Sequence, residues 1–297
     1  MSDYVISCCS SADLTKERLD ARDIEYLCFH FSLDGVEYPD DLGKTMPPAE
    51  LYKRMTEGQT AKTSQPSAGE YMEFFRRFLG KGRDVLHVTL STGISGAYNS
   101  ATVAAEQMRK EYPERKIYVL DSLGASSGYG LLVETLADMR DGGAGIDELY
   151  EWALRHRLEL HHWFFSTDLT FYIKGGRVSK RSGFIGSMLG ICPLLDMDEL
   201  GRLIPREKIL GKKRVVRRTV EKMIEYAKNG LNYSGKVFIC HSECIEEAKR
   251  LASLVAEKFR MMSGVPEIFP IGATIGSHTG PGTVSLFFWG KKRTAGI

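Results

Sequence analysis

The sequence predicts an α/β fold in two domains, residues 1–165 and 166–297. Three observations carry this. Short β-like runs alternate with longer amphipathic stretches up to about His161, the rhythm of a parallel sheet with crossover helices. A glycine- and basic-rich passage then interrupts that rhythm, and shorter strands and helices of a second, smaller domain with a mixed sheet follow. A chain of 297 residues can form two ordinary domains, each with its own core.

Residues 4–9 (YVISCC) form a buried strand and residues 27–33 a second. Residues 49–55 and 69–79 are helices. The latter sets Tyr71, Phe74, Phe75 and Phe78 on one face, and Ser67 with Glu70 makes a capping box before it. Strand 84–90 (DVLHVTL) runs into helix 95–112, strand 116–120 into helix 128–140, and a further helix spans 146–159. In the second domain, 163–167 is a strand and 184–195 an apolar segment, and Glu199-Leu200-Gly201-Arg202 turns between two short strands. Helices at 215–228 and 246–259 and strands at 236–240 and 284–289 complete it.

The net charge of +2 gives no global field that demands nucleic acid or a membrane. No apolar run is long enough to span a bilayer and the first residues carry no signal-like segment, so a cytoplasmic protein is expected. The six cysteines lack the spacing of a disulfide scaffold and read as reduced thiols. Cys240-His241-Ser242-Glu243-Cys244 has no second ligand pair at zinc-finger spacing, so no metal is expected. No Walker A sequence is present and no G-x-G-x-x-G follows a strand, so the chain needs no cofactor of its own.

Three segments share a distinctive chemistry: 63–67 (TSQPS), 91–100 (STGISGAYNS) and 276–282 (GSHTGPG). Each is dense in hydroxyls, glycine or proline, and none contains an acid. Brought together they would make an anion-binding mouth. Ser95 stands where a strand of a parallel sheet enters a helix, where free N–H groups favour an anion. It reads equally as a simple N-cap. Ser67 is explained as a cap, whereas Thr63 lies outside the helix. His278, between two glycine-bearing turns, reads as looped, with an imidazolium that could pair with an anion. The basic passages 174–181 and 206–218 read first as solvated faces, and otherwise as a phosphate site or an acidic partner's surface.

These motifs resemble the DegV family of bacterial fatty-acid-binding proteins. The resemblance runs in order along nearly the whole chain, through residues 10–14 (SSADL), 34–38 (DGVEY), 63–67, 94–101 (ISGAYNSA), Asp121-Ser122 leading into 128–131 (GYGL), 175–180 (GGRVSK) and 275–282 (IGSHTGPG). It implies a long-chain fatty acid held between two α/β domains. Thr63 and Ser95 would hold its carboxylate with His278 and Arg177 nearby, and Ser64, Gly96, Ser122 and Thr279 complete the expected site. The resemblance also implies a partner, an ATP-binding kinase subunit similar to dihydroxyacetone kinases, that phosphorylates the bound carboxylate. Two departures stand out. Cys8-Cys9 replaces the usual Thr-Asp, and residues 210–214 (LGKKR) replace an Arg-Thr-Arg-Lys type stretch. Charge is kept there, but a lysine is not a bidentate arginine.

Phe184, Ile185, Met188, Leu189 and Ile191 are candidates to line the acyl tunnel, with neighbouring glycines leaving space. The same run reads equally as an ordinary buried helix. Burying methylenes stabilises by about 0.8 kcal/mol each, so a long tail contributes on the order of 10 kcal/mol before ordering costs. A stand-alone lipid carrier is one alternative. A Ser95/His278 acyl hydrolase is another, although residues 93–97 (GISGA) miss the G-x-S-x-G elbow.

Overall fold

A computed structural model describes residues 3–179 and 190–294. Strand β1 (Tyr4–Cys9) is buried throughout, as suits a largely apolar run in a sheet covered on both faces. It pairs in parallel with β2 (Ile24–Leu27) on one side and β6 (Asp84–Thr89) on the other, and β7 (Ile117–Asp121) follows β6. Helices α1 (Lys16–Ala21), α3 (Ala68–Leu79) and α4 (Ala97–Glu111) serve this sheet. The expected aromatic face of α3 is buried, and both halves of its capping box are formed.

The second sheet has six strands in the order β10-β9-β8-β13-β11-β12: β8 (Leu160–Ser166), β9 (Ile191–Met197), β10 (Leu203–Leu210), β11 (Phe238–His241), β12 (Glu267–Pro270) and β13 (Thr283–Trp289). All its pairs are antiparallel except β11 with β12. One face carries α8 (Lys212–Tyr226) and α9 (Ile245–Lys258). Between the two sheets lies α5 (Ser126–Asp141), which packs on β1 and on β8, β11 and β13, so one core runs from the first sheet into the second. Helix α6 (Ile146–His156) packs beside it. Among the described residues, no helix is long and apolar enough to cross a membrane.

A third sheet, not foreseen in the sequence, holds antiparallel β4 (Val36–Pro39), β3 (His30–Leu33) and β5 (Ala61–Ser64), with α2 (Pro48–Thr56) nearby. Its existence corrects the expected strand 27–33, which is two strands in two sheets. The break falls at Phe29. Its N–H donates to Ser10 Oγ at 3.0 Å and its carbonyl accepts from Asp40 N at 2.8 Å, so neither group serves a ladder.

The anticipated turn at residues 199–202 joins β9 to β10, closed by Gly201 N–H on Asp198 O at 3.0 Å. The basic passage 206–218 divides between β10 and α8. Arg206 pairs with Asp196 at 2.8 Å, Arg218 with Glu207 at 2.8 Å and Lys212 with Glu247 at 2.8 Å, so part of its charge is met within the chain. All six cysteines are free thiols.

Replacing Ser67 with Ala removes the N-cap acceptor of α3 and should lower stability by about 1 kcal/mol. Urea unfolding checks this; an unchanged midpoint would show that the capping box carries no stability.

Candidate functional site

The site begins at β5, whose alternation turns Thr63 and Ser64 to opposite sides. Thr63 is half-buried and Ser64 exposed. Against β5 packs α10 (Ala273–Thr279), a short helix between Gly272 and Gly280. His278 is therefore helical rather than looped as its flanking glycines suggested. The glycines end the helix instead, Gly280 by adopting φ +64°. His278 Nε2 and Thr63 Oγ1 share a hydrogen bond of 2.7 Å.

Helix α7 (Thr170–Lys174) supplies the third side. Gly175 follows it, and a Cβ there would stand 2.4 Å from His278 Nδ1, so only glycine admits the ring. Arg177 turns back to donate to Gly175 O at 2.6 Å. Burial lowers the Arg177 pKa from its ordinary value. Burial first, and Arg177 second, push His278 down to about 4. The imidazolium expected from the sequence is thus a neutral imidazole at neutral pH. Its Nδ1 is buried without a hydrogen-bond partner among the described residues.

Ser95 sits in the turn between β6 and α4. Its Oγ accepts from Ala97 N at 3.2 Å and lies 3.5 Å from Gln65 Oε1. Gln65 Nε2 donates to Ser100 Oγ at 2.9 Å, so Gln65 ties the first hydroxyl segment to the second. Gly96, at the N-cap of α4, makes room for this. A Cβ there would lie 2.8 Å from Gln65 Oε1. The β9–β10 turn closes from the other side, with Ser91 Oγ donating to Gly201 O at 2.8 Å.

Thr63, Ser95, Arg177, His278 and Thr279 line one cavity. The cavity volume is about 70 Å³, so the site is a narrow slot. Its walls are mainly apolar, including Phe29, Leu90, Ile94, Phe164, Met197 and Phe287. Ser64 and Ser122 lie off it. The Ser122 hydroxyl is engaged with the Gly124 backbone, accepting from its N–H at 3.1 Å. Phe184, Ile185, Met188 and Leu189 lie outside the described residues. Ile191 starts β9 opposite Leu210 and is not in the cavity wall.

The sequence reading missed the wall that β8 and β13 provide. His162 and Phe164 on β8, and Thr283, Ser285 and Phe287 on β13, face the slot, while Trp163, Phe165, Val284, Leu286 and Phe288 face the core under α8 and α9. The two-residue period was present, but both faces are buried, so the apolar run masked it. His162 is held in place by Ala125 N–H on Nε2 at 3.2 Å and by a contact of Nδ1 with Leu160 O at 3.2 Å. Among the described residues, no group of three or more His, Cys, Asp or Glu side chains could hold a metal ion.

The family model described as "Uncharacterised protein, DegV family" matches residues 6–291. A DegV domain-containing protein of Clostridium perfringens is 34% identical over 293 residues, covering 99% of each chain. A fatty acid-binding protein of Thermotoga maritima is 31% identical over 286 residues, covering 93% of this chain and 94% of its own. The crystal structure of a stearic acid-binding protein from Eubacterium ventriosum superposes with a TM-score of 0.85 at 26% identity, covering 97% of this chain and 98% of that one.

The His278 environment has a measurable consequence. An unfolded chain takes up this proton near 6.5 and the folded one near 4, so the unfolded state binds more protons between them. This histidine's contribution to stability is then present above 6.5 and lost as pH falls toward 4. His278→Gln should flatten the decline of stability over that window, measured by urea unfolding at several pH values. An identical slope in both proteins would contradict it.

Proposed function

The chain belongs to the DegV family, and on that footing we propose that it binds a long-chain fatty acid in this slot, with the carboxylate held at Thr63 and Ser95 and with His278 and Arg177 beside it. The observation that carries the reading is the slot itself: narrow, walled by large apolar side chains, and lined also by the hydroxyls of Thr63 and Ser95, a neutral imidazole and a guanidinium. Two side chains of that cluster belong to motifs 215 residues apart that share one hydrogen bond. The fatty acid named for the Thermotoga and Eubacterium relatives supports the same chemistry.

The tautomer of His278 fits an anion. Nδ1 lies against Gly175 with no partner, a position suited to a bare lone pair. The proton then sits on Nε2 and is donated to Thr63 Oγ1, which leaves the Thr63 hydroxyl free to turn its own hydrogen to the carboxylate. A bound carboxylate would raise the imidazole pKa again, and the pair would strengthen together.

In this reading the chain performs no chemistry alone. It presents the carboxylate as nucleophile to a phosphoryl group supplied by a separate ATP-dependent kinase subunit, and Arg177 offsets charge as the acyl phosphate forms. The hydroxyl contacts fix the attacking oxygen, and the tail supplies most of the affinity. The division at residues 165 and 166 and a cytoplasmic location belong to the same proposal. A stand-alone carrier is the second reading, favoured by Lys212: this first cation of the divergent 210–214 stretch is tied to Glu247. A hydrolase is not supported, because His278 Nε2 is engaged by Thr63 and Ser95 Oγ by Ala97 and Gln65.

Three measurements test the reading. Solvent extraction of the purified protein followed by mass spectrometry should release a fatty acid; protein that carries none and takes up none from a mixture would sink it. Thr63→Val should weaken binding by about 10- to 100-fold, the range of one hydrogen bond to a charged group, while unaltered affinity would remove Thr63 from the site. Adding a cognate kinase subunit with ATP should give acyl phosphate, and failure with genuine partners would favour the carrier.

A further inference from the structure

Helix α10 holds His278, yet its seven residues are too few to fix its own place. It closes few internal hydrogen bonds, and isolated helices of this length are unstable in water. Its position is set by what grips its ends. At the start the grip comes from two buried carboxylates, Asp13 and Asp40, which the head-group site does not use directly.

Asp13 follows a short 3₁₀ turn after β1 and adopts the left-handed backbone conformation, φ +48°. An aspartate tolerates that conformation better than most residues. One carboxylate oxygen accepts from Gly272 N–H at 3.0 Å, and the other accepts from the Ser126 hydroxyl. Gly272 is needed for this approach, because a Cβ there would lie 2.7 Å from Asp13 Oδ1. Asp40, just beyond β4, accepts from Thr274 N–H at 3.1 Å, from the Thr274 hydroxyl, and from Ser10 Oγ at 3.1 Å. The two acids thus satisfy backbone donors of the first turn, which no partner inside the helix can satisfy. Tyr52 locks the approach to the helix by donating to Ile271 O at 2.9 Å.

We propose that Asp13 and Asp40 are positioning residues for the head-group site, acting through α10 to set the Thr63–His278 hydrogen bond. Ser126 and Thr274, the hydroxyls they hold, also line the slot, so the acids stand directly behind its wall. They fix the wall without facing the ligand. The last turn of α10 then delivers His278 between β5 and Gly175. A start of the helix that shifts by a fraction of its pitch changes where the ring arrives. Only the affinity part of the test rests on the fatty-acid reading.

The test compares the full chain with Asp40→Asn and Asp13→Asn, and reads His278 by ¹⁵N NMR of its ring in the ligand-free protein. Each amide keeps the shape and one acceptor but loses an acceptor oxygen. The His278 titration midpoint should rise by a unit or more as the ring leaves its buried place. Stearate affinity should fall about tenfold, and adding Thr63→Val to Asp40→Asn should cost much less than Thr63→Val alone. A core variant of similar instability, Leu149→Ala in α6, should leave the ring resonance unmoved. If it moves the resonance equally, or if folded Asp40→Asn leaves both ring and affinity unchanged, the proposal fails. Should Asp40→Asn not fold, Ser10→Ala, which removes one donor from Asp40, should shift the midpoint in the same direction by less; no shift would overturn the idea. A wild type that ignores stearate while the midpoint still moves would support the lever and sink only the ligand reading.

Discussion

A helix packed between two sheets has no polar face to give away, and α5 is in that position. Its residues facing β1 and those facing β8, β11 and β13 are both buried, so a carboxylate on it must be neutralised within the protein. Glu134 is that carboxylate. It is fully buried and meets Arg18 directly, Lys236 at 3.5 Å and Arg22 at 3.7 Å. Arg18 continues to Glu267 on β12 at 2.9 Å, and Lys236 to Asp138 at 2.6 Å. The same few charges satisfy α5 and join the first sheet's helices to the second sheet. Because that seam is fixed, the slot beside it has two walls at a set spacing. Losing one cation would leave Glu134 buried and underpaired, which is more damaging than losing an exposed pair.

The local signals in the sequence were faithful wherever one segment determined its own structure. The aromatic face of α3, its capping box and the strand-to-helix turn at Ser95 are properties of a few adjacent residues, and they stand as read. The three-stranded sheet was illegible because β4 and β5 are short, and β5 (AKTS) has Thr63 as its single β-branched residue and no aromatic one. The apparent strand across Phe29 failed for a different reason. Its backbone groups answer to Ser10 and Asp40, both distant in sequence from a strand's point of view. The site divides in the same way. Thr63, Ser95, Arg177 and His278 stand in motifs whose chemistry can be read, whereas Gln65 and Asp13, though inside visible motifs, and Asp40 act through contacts that only the tertiary structure creates. His278 shows the limit most clearly. Its presence was legible, but its protonation state was not, because desolvation depends on what surrounds it.

The acids of this region are distributed in a telling way. Among the described residues the cavity wall holds none, and Asp13 and Asp40 lie behind it, each with its pKa raised by burial and each enclosed by donors. The Cys8-Cys9 departure fits the same arrangement. Cys9 Sγ is 3.2 Å from Tyr71 Oη and 3.6 Å from His87 Nε2, and burial pushes the Cys9 thiol up to about 12 and His87 down to about 3. That cluster is therefore uncharged at neutral pH, and the end of β1 adds no field of its own to the site.

Gly175 carries a constraint that belongs to another part of the chain. Its missing side chain is the space occupied by a ring 103 positions later, between Gly175 and His278 in the numbering. The two positions are therefore one inherited unit. A descendant that exchanged His278 for a small residue would release Gly175 to accept a side chain, and a descendant that first gained a side chain at 175 would have to surrender the imidazole. The order of such changes is restricted: the imidazole has to leave before a side chain can arrive at 175.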